Sequence, residues 1–516
     1  GGDAGAIMFT GDHEYIYNAT FINCTSVGRG GAVFLQHNTN VTFELCTFIN
    51  NYAKGIANNT WKNYTQERND ANNDTKLDYK LTGHGGAIAF DVYATNCKII
   101  DSKFYNNLGR RNGGAINFDQ GSTNNTIRNS IFENNTVYDD GGAINFDKGS
   151  DYCSVYGSTF YNNTGLGRFG STSKGGTICL TGSNITISDS KFTLGVVYAN
   201  TTEKAKLNET DGGAIFITGN DVNITSSSFV RCYSPNNAGA IKLIGNRTLI
   251  TECTFEFCNA TEDGGALYVD GLNCSVYNST FKHSIAGDDG GAINWRGDYG
   301  YISNITCFNS RGISLGDSHS NGGAISINGN HVTLTKSNFT MSGALIAGGA
   351  IFATGNNVTI SDSSFDRNNV SQTIVETGKT YTTGGGAIYI LGNNSHVINS
   401  TFIRANGKEG GLMYIQGNNV TIKGIIAEMS FAVNGGAIYI AGDDSKVLDS
   451  FIALTNSTQD GGGLYIEGDN SFVSGTNLTM CFSEKDGGAI YIEGTNTTIK
   501  GADISKSNTT LYGGVI

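Results

Sequence analysis

The feature that most constrains this chain is a string of the form Gly-Gly-Ala-aliphatic, or a close variant. Its third residue falls at Ala6, Ala32, Ala87, Ala115, Ala143, Thr177, Ala214, Ala240, Ala266, Ala292, Ala324, Ala350, Ala387, Leu412, Ala437, Gly463, Ala489 and Val515. The commonest interval between these positions is 26 residues. A period of about 20 to 50 residues is the mark of a solenoid, in which no single unit can bury its apolar side alone. Within a unit, as in the stretch from Ala350 to Phe365, apolar residues recur at every second position: Ile351 and Ala353, Val358 and Ile360, then Phe365. Period two means strand, and a helical spacing of about 3.6 is absent.

Three short strands per unit, separated by turn residues such as Gly355 and Asn356, predict an all-β chain. Its strands pair with those of the next coil at about 4.8 Å, so that like residues pile above like. The expected fold is a right-handed parallel β-helix of eighteen coils, one per repeat of the glycine string, forming a single continuous body over 1–516. The aliphatic residue of each string, for instance Ile88, Ile116, Ile144, Ile215 and Ile490, is a core ladder, and the glycine pair marks a corner with no room for a Cβ or with positive φ. A second signature, Phe-x-x-Asn, recurs at Phe48/Asn51, Phe104/Asn107, Phe132/Asn135 and Phe160/Asn163, and again at Phe365/Asn368. Asparagines stacked in this way can hydrogen-bond along the axis.

Composition removes several alternatives. Glycine is twice as frequent as usual, with 72 in 516 residues, yet a single proline, Pro235, excludes collagen and proline-rich stalks. A formal charge of −12 leaves no basic stripe for a phosphate backbone, so nucleic acid is not an expected partner. No apolar run reaches the roughly 20 residues of a membrane helix. The sequence opens on a glycine pair and stops within a repeat, which reads as a slice of a longer protein.

The paired Gly-Gly-Ala-Ile and Phe-x-x-Asn motifs resemble those of chlamydial polymorphic membrane proteins. The Asn- and Thr-rich coils at 385–402 and 435–451 are still more similar to the adhesin-like surface proteins of methanogenic archaea. This resemblance covers nearly the whole chain and implies a β-helix at a cell surface. It is specific for the fold and weak for activity, because the motifs are structural.

The chain has eleven cysteines. Cys97, Cys153 and Cys274 take an aliphatic place, and Cys46 and Cys253 take a serine place, so these read as small core residues. Cys24, Cys232, Cys258 and Cys481 take the asparagine place of Phe-x-x-Asn, and Cys232 and Cys258, on adjacent coils, are the candidate disulfide. N-glycosylation sequons are abundant, and those at Asn184, Asn273, Asn357, Asn419 and Asn496 share one turn column, which predicts an exposed row of modifiable amides on an extracellular protein.

Three features are candidates for function. Insertions at about 52–83, 164–174, 195–210, 310–321 and 369–384 all enter at one corner of the repeat, and the largest carries Trp61, Tyr64 and Tyr79. Insertions on one edge of a solenoid are often its working surface. The outward column after the glycine pair reads Phe352, Tyr389, Tyr414, Tyr439, Tyr465 and Tyr491, an aromatic stripe that either binds sugars and proteins or strengthens the sheet. Asp91, Asp119 and Asp147 share an outward column beside Asn117 and Asn145. They read as a calcium site, an acid/base pair or a solvated ladder. No column of Lys or Arg accompanies them; Lys148 and the Arg110-Arg111 pair lie off the pattern.

The expected function is therefore a non-enzymatic, extracellular cell-surface adhesin that presents loops and glycans, with no cofactor other than a candidate calcium ion. Its expected partners are glycans or proteins of other cells, or neighbouring copies of itself. A polysaccharide lyase or hydrolase, and a purely structural envelope component, are the alternatives.

Overall fold

The computed structural model describes residues 2–55, 83–167, 172–198, 210–313, 320–371 and 383–513. The chain is an all-β, right-handed parallel β-solenoid of about 17 turns of about 26 residues. It divides into two compact units, Gly1–Leu249 and Ile250–Ile516. The strand after the glycine pair occurs eight times in the first unit, from Ile7–Phe9 to Ile241–Leu243, and nine times in the second, from Leu267–Val269 to Ile490–Ile492. The eighteenth repeat, at Val515, lies outside the described residues, as do Trp61, Tyr64 and Tyr79. No helix among the described residues is long and apolar enough to cross a membrane.

All but one of these turns have four strands, one more than the sequence pattern suggested; the turn beginning at Ile388 has three, with isolated bridges at Asn406 in the fourth place. In the turn beginning at Ile116 the four are Ile116–Phe118, Thr126–Arg128, Ile131–Glu133 and Thr136–Val137. All pair in parallel and in register with the turns on either side, for instance Ile116 with Ile88 and Ile144. Four strands need four bends, and each bend contains a residue in the left-handed region. In this turn they are Asn124, Asn129, Asn134 and Gly141, with φ of 57°, 50°, 55° and 73°, and the first, longer bend has a second such residue, Gly121, at 76°. Asparagine tolerates that conformation better than most residues, which accounts for its abundance at the corners. The second glycine of each string has a different duty: a Cβ on Gly114 would overlap the carbonyl oxygen of Gly142 in the next turn.

The core is made of ladders. In the N-terminal unit the third-strand phenylalanines Phe21, Phe48, Phe104, Phe132, Phe160, Phe192 and Phe229 stack face to face at 4.7–4.9 Å. In the C-terminal unit Phe339, Phe365 and Phe402 do the same at 4.9 and 4.6 Å. The Phe-x-x-Asn asparagines are fully buried, and the side chains of Asn51, Asn107, Asn135 and Asn163 hydrogen-bond in series at 2.9–3.0 Å. Cys46, Cys97, Cys153, Cys253 and Cys274 are core residues, as expected, whereas Cys24 at the first turn is half-buried. Burial pushes the thiol of Cys97 up to about 11 and that of Cys153 to about 12.

The disulfide expected between Cys232 and Cys258 is not formed. Cys232 is a buried thiol whose Sγ donates to the Val230 carbonyl at 3.8 Å. The Sγ of Cys258 donates to the Glu256 carbonyl at 3.7 Å. Each sulfur is turned back on its own strand end, in the place that asparagine fills elsewhere.

Candidate functional site

Alternation along the first strand predicts an inward, an outward and an inward residue, and the outward one was expected at the surface. The structure buries it too. In the N-terminal unit Ala89, Asn117, Asn145, Cys179, Phe216 and Lys242 occupy this position and are all nearly inaccessible. Charged side chains from the flanking loops lie over this outer face. Lys174 Nζ sits 5.3 Å from the centroid of the Phe216 ring, and Lys242 pairs with Asp211 at 3.8 Å.

The aspartate column borders the same face, two residues beyond the asparagines and therefore on the same side of the strand. It does not lack a basic partner, as the sequence pattern implied. Arg29, from the preceding turn, contacts Asp91 at 2.6 Å, Asp3 at 3.2 Å and Asp119 at 3.9 Å. The cation beside these carboxylates is thus a guanidinium, and among the described residues no three His, Cys, Asp or Glu side chains are grouped as metal ligands. Asp91, Asp119 and Asp147, the expected calcium ligands, are not brought together as such a group.

Further along the column Asp147 accepts a hydrogen bond from Asn145 at 3.0 Å, and Asn145 also donates to Asn117 at 2.9 Å. Burial, with the neighbouring Asp119 carboxylate adding to it, pushes Asp147 up to about 7. His84, wholly buried, is pushed down to about 4, chiefly by burial, and is therefore neutral at pH 7. The side chain of Asn117 lies against the His84 ring and partly offsets this, as does the Asp119 carboxylate.

Above that stretch lies an open cleft of about 830 Å³, lined by Asp119, Gln120, Asp147, Lys148, Asp151, Thr181, Ser183, Thr218 and Asn220 among others. Its origin is a change in corner length. From the first core residue of the first strand to the core residue of the second there are 11 positions at 88→99, 116→127 and 144→155, but 9 at 178→187 and 215→224. Three long corners therefore overhang two short ones, and the step is the cleft. Asp151, on the long side, accepts a hydrogen bond from the Ser183 backbone N–H on the short side at 2.7 Å. In the long corners the stacked positions are Tyr93, Gly121 and Gly149. Tyr93 is 65 % exposed, and its ring is folded against Gly121, where a Cβ would meet ring carbons at 2.7 and 2.8 Å.

The other candidate residues are distributed differently. In the C-terminal unit Phe352, Tyr389, Tyr414, Tyr439, Tyr465 and Tyr491 do form one stack, with successive centroids 4.5–5.6 Å apart. The stripe is not an exposed platform: Phe352, Tyr389, Tyr414 and Tyr465 are at most 9 % exposed, and only Tyr439 and Tyr491 are more open. Each ring face is covered by the next ring, and Ile346, Ala347, Leu391 and Ala441 pack around the group. The phenols of Tyr389, Tyr439 and Tyr465 are satisfied by Gln416, Glu467 and Glu493.

Of the sequon asparagines, Asn184, Asn273, Asn419 and Asn496 are exposed and Asn357 is half-buried, all at left-handed corners. The described flanks of every insertion share one place in the turn, after a two-residue fourth strand such as Tyr52–Ala53, Thr164–Gly165 or Asn369–Val370.

The architecture defines a right-handed parallel β-helix, and residues 4–192 match the family model described as "Right handed beta helix region". No curated protein matches the chain. Among solved structures, the chain is similar to an alginate lyase, AlyF-OU02, at 11 % identity, covering 88 % of this chain and 84 % of that one with a TM-score of 0.36. It is also similar to a double mutant of the tailspike of Escherichia coli bacteriophage HK620 in complex with a pentasaccharide, at 13 % identity, 91 % and 74 % coverage and a TM-score of 0.37. The A-module of the mannuronan C-5 epimerase AlgE6 of Azotobacter vinelandii matches at 11 % identity, 76 % and 91 % coverage and a TM-score of 0.29.

Proposed function

We propose that this chain is an extracellular, cell-surface solenoid that binds glycans through the stepped cleft of its N-terminal unit and acts as an adhesin without catalysing a reaction. The observation that supports this reading is the cleft itself. Its walls are hydroxyls, amides and carboxylates held on rigid strand ends, a set suited to the hydroxyl groups of a sugar, and its size lies within the usual range for ligand sites. Outward asparagines of the shared sequon column fit an extracellular setting, and glycopeptide mass spectrometry of native material tests it.

Retention of the purified chain on a panel of immobilised glycans and whole cells tests the binding. The chain should be retained, and replacing Thr181, Ser183 and Asn220 together by Ala should abolish retention while the β-sheet circular dichroism is unchanged. Retention on no glycan, or equal retention of the triple variant, refutes the reading.

One observation favours a polysaccharide-active enzyme instead. Asp147, with its value near 7 beside Asp119, titrates where a general acid or base works at neutral pH. Release of reducing ends or unsaturated products from a polysaccharide panel, abolished by Asp147→Asn, would replace the adhesin reading.

A further inference from the structure

The cleft is not electrically neutral, and its charge selects among sugars. Three carboxylates, Asp119, Asp147 and Asp151, line it against a single exposed cation, Lys148. The first of these has its Arg29 partner no closer than 3.9 Å. Beneath them, Asn117 is 1 % exposed and lies on the same strand face as Asp119. Asp119 lies within hydrogen-bond reach of Asp147, and Asp151 follows four residues further along the same corner as Asp147. No three such side chains group as metal ligands among the described residues, which suits cationic groups along a chain better than one metal ion. On the long side, in the turn of Ile88 and two turns from the last long corner, Tyr93 presents an exposed ring, held flat by the absence of a side chain at Gly121, and an aromatic face of this kind packs on the apolar face of a sugar.

We infer that the cleft takes a short stretch of an amino-sugar glycan, with ammonium groups on Asp119 and Asp151 and one ring on Tyr93, and that it discriminates against uronate chains. This rests on the glycan-binding reading above and names its ligand class. A uronate would bring like charge to within a few ångströms of carboxylates in a partly desolvated site, where the repulsion is far less screened than in bulk water.

The test is calorimetric titration of the whole chain with three tetrasaccharides: chitosan, its fully N-acetylated form, and galacturonate. Titrations are run at about pH 6, below the amine pKa. Chitosan should bind at least about tenfold more tightly than the acetylated form, and galacturonate should be weakest; tenfold corresponds to about 1.4 kcal/mol. The Asp119→Asn, Asp151→Asn double variant should lose the preference for chitosan and keep acetylated binding. Tyr93→Ala should weaken both.

Asp503→Asn, an exposed carboxylate of the C-terminal unit, should change nothing, which separates the cleft from general attraction of a polycation to an acidic protein. Equal binding of the acetylated and free-amine sugars, or the same loss from Asp503→Asn, overturns the inference while leaving glycan binding intact. Tighter binding of galacturonate overturns it outright. Binding of none overturns this inference and the proposed function together.

Discussion

The side chain of Asn107 makes four hydrogen bonds inside the N-terminal unit. Its Nδ2 donates to the Phe48 carbonyl at 3.1 Å and to Asn135 Oδ1 at 3.0 Å, and its Oδ1 accepts from the Asn51 backbone N–H at 3.0 Å and from Asn51 Nδ2 at 2.9 Å. Asn107→Ala leaves that N–H and one proton of the Asn51 amide without partners, at a residue with no accessible surface; the Phe48 carbonyl keeps its place in the backbone ladder with the strand of Phe104. An unmade buried hydrogen bond costs about 1–3 kcal/mol, so two stranded groups should cost about 2–6 kcal/mol.

A solenoid need not unfold in one step, so a melting temperature is a poor measure of a local loss. Native-state amide exchange resolves it turn by turn. Peptides spanning 47–55 and 103–109 should exchange about 100-fold faster in the variant, since each 1.4 kcal/mol is about a factor of ten. The control is Asn162→Gly. Asn162 is exposed, donates to Asn134 at 2.7 Å, and sits at φ 51°, which glycine accepts without strain. Its loss should change exchange by less than about tenfold, the scale of an ordinary hydrogen bond. If Asn107→Ala and Asn162→Gly accelerate exchange equally, burial is not what gives the asparagine ladder its strength, and the reasoning fails.

Three further outcomes are expected. Asp147 titrates near 7 in the folded chain and near 3.8 unfolded. The folded state therefore holds more protons between those values, and stability should fall as pH rises from about 4 to about 7; Asp147→Asn should flatten that part of a stability profile measured by denaturant melts. Tyr414→Ala removes a ring stacked at 4.6 and 5.0 Å on its two neighbours and should cost about 3–5 kcal/mol in local exchange. Loss of glycan binding without loss of protection would restore the stripe as a recognition surface. Gly114→Ala, whose Cβ would overlap the Gly142 carbonyl oxygen, should reduce soluble yield sharply. Gly149→Ala, with nothing nearer than 3.6 Å and only its φ of 76° to strain it, should cost about 1 kcal/mol.

The glycine pair, the period and Phe-x-x-Asn made the coil and its stacking legible because each places a distinctive residue type at a fixed spacing. The fourth strand was not legible, since two residues such as Thr136 and Val137 are too short to show alternation. Nor were all the corners: Leu45, Arg231, Phe257 and Met341 adopt the same left-handed backbone as Asn50 or Asn134, and nothing in their chemistry announces it. Arg29 was missed because it meets Asp91 across 62 residues of sequence and an insertion. The aromatic stripe was placed on the surface because alternation assigns an outward direction but says nothing of what lies over that face. The cleft did leave a trace, the interval of 11 rather than 9 between first and second strands in three consecutive turns. That trace becomes informative once corner length is known to set the height of the surface.

Four bends per winding have a bearing on how such a chain can lengthen or shorten over generations. Duplicating or excising one whole winding inside a unit returns every bend to an equivalent neighbour, so copy number is cheap to alter. Losing a single codon within a strand turns inward side chains outward and pulls three bends out of line at once. Small deletions and insertions in relatives should therefore cluster just after the two-residue fourth strand or in the corner that forms the step, where extra residues are already carried.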